Sequence, residues 1–291
     1  MMHDPWAAWR LSKPPNLFVC YARWMETRYI DAHCHLQFEQ YVQDDSKLIE
    51  RMREESVAGI VVGCDLASSE KAVALAERYD HLFASIGLHP NHAADELFDT
   101  ETFRTLAAHK KVVAIGECGL DYFRPSEVNE EVKRQQKEVL QKHIRLAAEL
   151  DKPLIIHCRP SKGTYDAYHD LIALLKEAKV EYPTLRGDIH FFVGGVAEAE
   201  AFVALGFTLS FTAVITFARD YDEVIRAVPL ASILSETDAP YVAPASRRGQ
   251  RNDPFAVKEV VAEIANIRGE DPETVRQALV RNARLVFSLA A

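Results

Sequence analysis

The chain has 291 residues, 48% hydrophobic and 26% charged, the composition of a globular protein with ample material for a large core. Its net charge of −9 and pI near 5.7 argue against a role in coating duplex DNA, which usually requires a basic protein. No apolar run approaches the length of a membrane span, and five cysteines without a CxxC pair fit a reducing cytoplasm better than a disulfide framework.

Residues 1–28 contain Pro14-Pro15 and scattered basic residues but no continuous apolar h-region, so they do not read as a secretory signal. They are expected to be an unstructured extension or a start-site artefact, since Met25 stands just ahead of the first strand-like run. From residue 29 onward, short β-like runs alternate with helix-length segments. The pattern predicts strands over 29–34, 59–64, 82–87, 112–117, 153–157, 185–191, 207–211 and 231–236. Helices are expected between them over 44–57, 68–79, 97–109, 127–150, 165–178, 197–205 and 221–227.

Eight such units predict an α/β fold, a closed parallel (β/α)8 TIM barrel. The strands are continuous apolar runs, as in a parallel sheet covered by helices on its outer face. Length alone suggests two domains, but α/β barrels of this size are commonly one, and a single domain over 29–291 is expected. An open doubly wound sheet would offer a Gly-rich turn after its first strand; this chain has His33-Cys34-His35-Leu36 there. Two helices are expected to close the chain. Val257, Val260, Val261, Ile264 and Ile267 form the apolar stripe of the first, ended by Gly269. Asp271 and Pro272 open the second as N-cap and first residue.

His33 and His35 stand at i and i+2, which in an extended segment puts both imidazoles on one face. The pair alone is weak evidence for a metal. Glu117, His157, His190 and Asp238 strengthen it, because each lies at or near the C-terminal end of a predicted strand, the face that carries TIM-barrel active sites. Imidazole and carboxylate are ligands that Zn2+, Mn2+ and related ions take. A carboxylate such as Glu117 can bridge two divalent cations, and such a pair can acidify a bound water and clamp the scissile oxygen. Asp238 is expected to take the proton of that water.

Cys34, Cys118 and Cys158 adjoin proposed ligands, but strand alternation turns them outward, into small apolar roles. Asp121 is either a carboxylate bracing a ligand imidazole or a loop cap. His89 could touch substrate or brace its loop. Arg159, Lys162, Arg248 and Arg251 follow strands five and eight, where guanidinium forks suit phosphate oxygens, although each could equally belong to a solvated charged loop. His3, His81, His92, His109, His143 and His169 are expected at the surface.

Taken together, Ile-Asp-Ala-His-Cys-His-Leu (30–36), Gly-Leu-His-Pro (87–90), Gly-Glu-Cys-Gly-Leu-Asp-Tyr (116–122), Leu-Asp-Lys-Pro-Leu-Ile-Ile-His-Cys-Arg (150–159), His-Phe-Phe-Val-Gly (190–194), Glu-Thr-Asp-Ala-Pro-Tyr (236–241) and Arg-Gly-Gln-Arg-Asn-Asp-Pro (248–254) resemble the TatD family of metal-dependent hydrolases. The resemblance implies metal ligation by His33, His35, Glu117, His157, His190 and Asp238. It implies DNA as substrate, cut from a 3′ end or at damaged sites, with Mg2+, Mn2+ or Zn2+ in support. Pro160-Ser161 departs from the family, which commonly has an acidic residue and then a small one there; the N-terminal 28 residues have no counterpart.

A small-molecule amidohydrolase or deacylase is the competing expectation, because the same barrel and metals serve carbonyl substrates. Related amidohydrolases often carry a modified lysine where this chain has Glu117, which favours the nuclease. A non-catalytic binding module ranks last, since no proposed ligand is missing. The expected partners are DNA ends or single strands, with weak binding to long duplex, for a cytoplasmic monomer or weak oligomer.

Overall fold

The structure, a computed structural model, describes residues 27–93, 96–124 and 128–289; nearly all of the N-terminal segment lies outside them. Eight parallel strands follow one another around the sheet in chain order: β1 (Tyr29–Cys34), β2 (Val57–Val62), β3 (Leu82–Ile86), β4 (Val112–Asp121), β5 (Leu154–Arg159), β6 (Gly187–His190), β7 (Phe207–Phe211) and β8 (Ile233–Ser235). Past the ends of β8 and β1, Asp238 N–H donates to His33 O (2.9 Å) and His35 N–H to Ala239 O (2.8 Å). These two bonds bring the last strand against the first in a nearly closed barrel.

Helices α1 (Asp45–Glu54), α2 (Leu66–Arg78), α3 (Thr100–Ala107), α4 (Glu130–Glu149), α5 (Asp166–Glu181), α6 (Val196–Ala204) and α7 (Asp222–Ala227) connect the strands. The Asp65 carboxylate starts α2 by accepting from Ser68 N–H at 2.6 Å. Helices α8 (Val257–Arg268) and α9 (Pro272–Val286) follow. Gly269 ends α8 at φ 66°, a left-handed position that favours glycine, and Asp271 caps α9 by accepting from Thr274 N–H. Among the described residues, no helix is long and apolar enough to cross a membrane.

Two apolar clusters divide the core. The larger lies between sheet and helices and takes in Cys34, Cys118 and Cys158, as alternation predicts. The smaller fills the barrel with Ile30, Ala32, Ala58, Ile60, Val62, Phe83, Ala114, Ile155 and Leu234. Val280 and Ala283 of α9, with Phe287 and Leu289 just past its end, plug it from below.

The register shifts in β1 between Asp31 and Cys34, and in β4 between Ile115 and Cys118. Each shift reverses the alternation, so Ala32 and His33 both face inward, and so do Ala114 and Glu117. Gly116 makes the second possible. It adopts φ 147°, and a β-carbon there would collide with Ile155 O. Of the histidines expected at the surface, His143 is fully buried in α4; His81 is only partly exposed, its Nε2 3.1 Å from Ile49 O.

Candidate metal centre

The six predicted ligands meet at the C-terminal mouth of the barrel. His33 and His35 bring their Nε2 atoms within 3.1 Å of each other. Glu117 lies between two groups of imidazoles. Its Oε2 is 3.4 Å from His33 Nε2 and 3.9 Å from His35 Nε2. Its Oε1 is 3.2 Å from His157 Nδ1 and 3.8 Å from His190 Nε2. Asp238 joins the first group, with Oδ1 3.4 Å from His35 Nε2 and 3.9 Å from His33 Nε2. Asp238 adopts φ 54°, a left-handed conformation that Asp tolerates better than most residues.

The outer ring nitrogens decide what the inner ones offer. His35 Nδ1–H donates to Val62 O at 2.8 Å. His157 Nε2–H donates to Asp121 Oδ2 at 3.2 Å. His190 Nδ1–H donates to the Glu236 carboxylate at 3.0 Å. Each neutral ring then turns a lone pair toward Glu117 or Asp238. Lone pairs and carboxylate oxygens facing one another repel unless a proton or a cation lies between them.

The electrostatics agree. Burial opposes a charge on His190, but Glu236, Glu117 and Asp238 overcome it and lift the ring to about 10. Burial also works to raise Glu117, yet the imidazoles of His89, His33 and His157 hold it well below the ordinary carboxylate range. Asp238 is lowered as well: burial opposes this, and its hydrogen bond from His35 and the nearby imidazoles prevail. Carboxylates that draw protons onto His35, His157 and His190 would attract a divalent cation for the same reason, while burial keeps the His33 ring neutral, lowered from the ordinary imidazole value. The donor set, imidazole nitrogen and carboxylate oxygen, suits Zn2+ or Mn2+.

Asp121 braces His157 and also accepts from Phe123 N–H and Arg124 N–H, both at 2.9 Å. Gln136 of α4 clamps its main chain, accepting from Asp121 N–H and donating to Asp121 O. His89 plays a different part from the inward-facing lone pairs. Its Nδ1 accepts from Asn91 N–H at 3.1 Å, so its neutral ring presents Nε2–H, 3.4 Å from Glu117 Oε1. Burial pushes His89 down to about 3, which keeps the ring a neutral donor.

Three contributors were missed in the sequence. Glu236 sits two residues before Asp238, in the same Glu-Thr-Asp-Ala-Pro motif. Its carboxylate also accepts from Phe191 N–H (2.8 Å) and Ser210 Oγ–H (2.8 Å). Ser210 Oγ is 2.6 Å from Asp188 Oδ2 as well, and one hydroxyl proton cannot serve two anions. One of the two carboxyls must therefore carry a proton, and burial, which raises Asp188, places it there, so that Asp188 donates to Ser210. Cys64 ends the β2 side of the mouth, with Sγ 3.5 Å from Glu117 Oε2; burial raises its thiol to about 12. His143 reaches from α4 to accept Leu88 N–H at 3.0 Å, pinning the turn that carries His89.

The rim residues separate. The Arg159 guanidinium lies 4.0 Å over the Phe123 ring and Arg248 3.8 Å over Phe217. Lys162 is exposed on the loop after β5. Arg251 has its fork engaged by both carboxylate oxygens of Asp44, and Gln40 O accepts from it too. Its partners are structural.

Residues 30–288 match the family described as TatD related DNase. The chain belongs to the TatD family. It is 38% identical over 263 residues to the uncharacterized metal-dependent hydrolase YabD of Bacillus subtilis, a span covering 89% of this chain and 98% of that one. It is 34% identical over 269 residues to the 3′-5′ ssDNA/RNA exonuclease TatD of Pantoea ananatis, covering 89% and 99%. The crystal structure of the TatD homologue YjjV from Escherichia coli superposes with a TM-score of 0.81 at 31% identity, covering 91% of this chain and all of the other. As a TatD protein, the chain is a metal-dependent hydrolase.

Proposed function

We propose that this TatD protein is a deoxyribonuclease that hydrolyses the phosphodiester bonds of single-stranded DNA or DNA ends, by 3′-5′ exonuclease action or at damaged sites. The observation that carries the reading is the division of Glu117. One oxygen faces His33 and His35 and the other faces His157 and His190, the placement of a carboxylate shared by two cations. The family relative from Pantoea ananatis, matched along nearly its whole length, is a 3′-5′ ssDNA/RNA exonuclease by name, which supports nucleic acid as substrate.

His33, His35 and Asp238 would hold one divalent cation, His157 and His190 a second, with Glu117 between them. Bound there, the cations supply an acidified water and charge neutralisation at the phosphoryl oxygens. Asp238, ionised and at the edge of the basket, accepts the proton of the attacking water. The new bond joins the water oxygen to phosphorus, the ester bond breaks, and the departing sugar oxygen takes up a proton, returned from Asp238 or drawn from solvent, and leaves as the hydroxyl. His89, held as a neutral donor, offers Nε2–H to Glu117 Oε1 and helps fix that carboxylate in place. The outer partners, Val62 O, Asp121 and Glu236, keep the ligand rings oriented throughout.

The test strips the protein of metal, restores Mg2+, Mn2+ or Zn2+ singly, and follows 3′- and 5′-labelled single strands and a duplex with an abasic site. Asp238→Asn is expected to lower kcat/KM by about 10²–10⁴-fold with the fold intact. Cleavage undiminished by this change belongs to a contaminant. If wild type binds metal but cuts none of these substrates, the activity lies with carbonyl substrates, as in an amidohydrolase.

A further inference from the structure

Beside the ligands, a cleft of about 420 Å3 opens between the loops after β4 and β5. Phe123, Pro160, Ser161, Lys162, Tyr165 and Val193 are among the residues that line it, and its size falls within the ~300–1,000 Å3 of small-molecule sites. Its position follows from the ligand strands. Phe123 stands two residues past Asp121, Arg159 two past His157, and Val193 three past His190.

We propose that this cleft is a nucleobase site, in which Phe123 and Tyr165 stack an unpaired base of the strand being cut while Arg159 and Lys162 meet its phosphates. The inference rests on the nuclease reading and adds the part of the substrate that the metal centre does not touch.

Three observations carry it. The first is exposed aromatic surface. Phe123 and Tyr165 are 47% and 45% exposed, and both line this one cleft. Flat apolar faces left open beside an active site suit a stacking partner, and every base has a π-face. The second is charge. The Arg159 guanidinium carbon lies 4.0 Å over one face of the Phe123 ring, and a guanidinium held there can still turn N–H groups toward a phosphate. Neither Arg159 nor Lys162 forms an ion pair with another described residue.

The third is rigidity. Ser161 Oγ donates to Asp166 Oδ2 (2.8 Å) and lies 3.3 Å from Tyr122 O, tying the two loops together. Asp166 also accepts from Ser161 N–H, and Thr164 Oγ1 is engaged with Ser161 O and Asp166. The Pro160-Ser161 departure from the family pattern thus builds one wall of the cleft. Because the Ser161 and Thr164 hydroxyls are engaged, the cleft offers mainly stacking faces and cations, with few groups to read a base edge. Recognition should be indifferent to sequence, and a base paired within a duplex could not enter.

The experiment measures binding by fluorescence anisotropy with Ca2+ present, using end-labelled oligothymidylate and an abasic tetrahydrofuran oligomer of equal length. Wild type, Phe123→Ala, Tyr165→Ala and Phe123→Trp are compared, each checked by thermal melting. Phe123→Ala and Tyr165→Ala are expected to weaken oligothymidylate by about tenfold and the abasic oligomer by less than twofold, while Phe123→Trp restores binding. Equal losses on both oligomers, or none on either, overturn the base site. Wild-type hydrolysis of oligothymidylate and of bis(4-nitrophenyl) phosphate is measured separately. If neither is cut, the nuclease reading fails, and the binding contrast still decides whether a base enters the cleft.

Discussion

Below the ligand imidazoles the barrel interior has two unlike halves. On the β1–β5 side it is filled by Ile30, Ala32, Ala58, Ile60, Phe83, Ala114 and Ile155, and His35 is oriented by a main-chain carbonyl, that of Val62. On the β6–β8 side the layer beneath His190 is polar. There Thr208 donates to Asp188, Asp188 donates to Ser210, Ser210 donates to Glu236, and Glu236 holds His190. A ring held by the backbone tolerates any side chain that preserves the strand. A ring held through a chain of buried side chains depends on each of them.

The largest expected break in this comparison is Glu236→Gln. It removes the charge behind His190 and sets an amide N–H₂ against donors from Phe191, Ser210 or His190. Metal affinity should fall by about 10–100-fold, read by titrating metal into stripped protein. Val62→Ala, on the other side, should cost about 2 kcal/mol of stability while metal affinity stays within about threefold. Equal effects on affinity would erase the distinction between the halves.

The proton count sharpens the polar half. Asp188→Ala should cost about 1–3 kcal/mol by leaving Ser210 without its donor. Asp188→Asn, which keeps an N–H toward Ser210, should cost under about 1 kcal/mol. If chemical denaturation shows the two variants equally destabilised, Asp188 is not the donor.

His143 offers a third case, a buried ring held by the backbone at both nitrogens, Val139 O and Leu88 N–H. Burial pushes it down to about 4, below the ordinary imidazole value near 6.5. The unfolded chain therefore binds a proton that the fold refuses. Its contribution to stability is complete above about 6.5 and is lost as pH falls from there toward 4. His143→Gln should flatten that part of the pH–stability curve, measured by melts between pH 4 and 8. The smallest effect is expected at the rim. Arg251→Ala should cost about 0–1 kcal/mol, since its pair with Asp44 is a surface one, and leave oligonucleotide affinity unaltered.

The positions of the candidate ligands were legible because His33, Glu117, His157 and His190 stand at or near the predicted ends of strands whose apolar runs and flanking helices are plain, and His35 and Asp238 follow such strands within three residues. What supports them was less so. The register shifts in β1 and β4 break the alternation that would have told inward from outward, and only Gly116 hints at the second. Glu236 reads as an ordinary polar residue at a strand end until Ser210 and Asp188 arrive from two other strands. His143 sits among charged residues on a long helix, and nothing nearby shows that its ring meets Leu88, 55 positions away. Arg251 has the same chemistry as Arg159, and only the fold reveals Asp44 beside it.

The seam between β1 and β8 has a consequence for the folding of the whole chain. Thr237 Oγ1–H donates to Asp31 Oδ2 across 206 residues of sequence, and His33, His35 and Asp238 stand on either side of the same join. A cation gripped there is a reversible cross-link between the beginning and the end of the barrel, closing a very long loop at once. Its binding energy adds to the stability of the fold in proportion to the logarithm of free metal. A chelator should then act as a selective denaturant, with amide exchange rising first along β1 and β8.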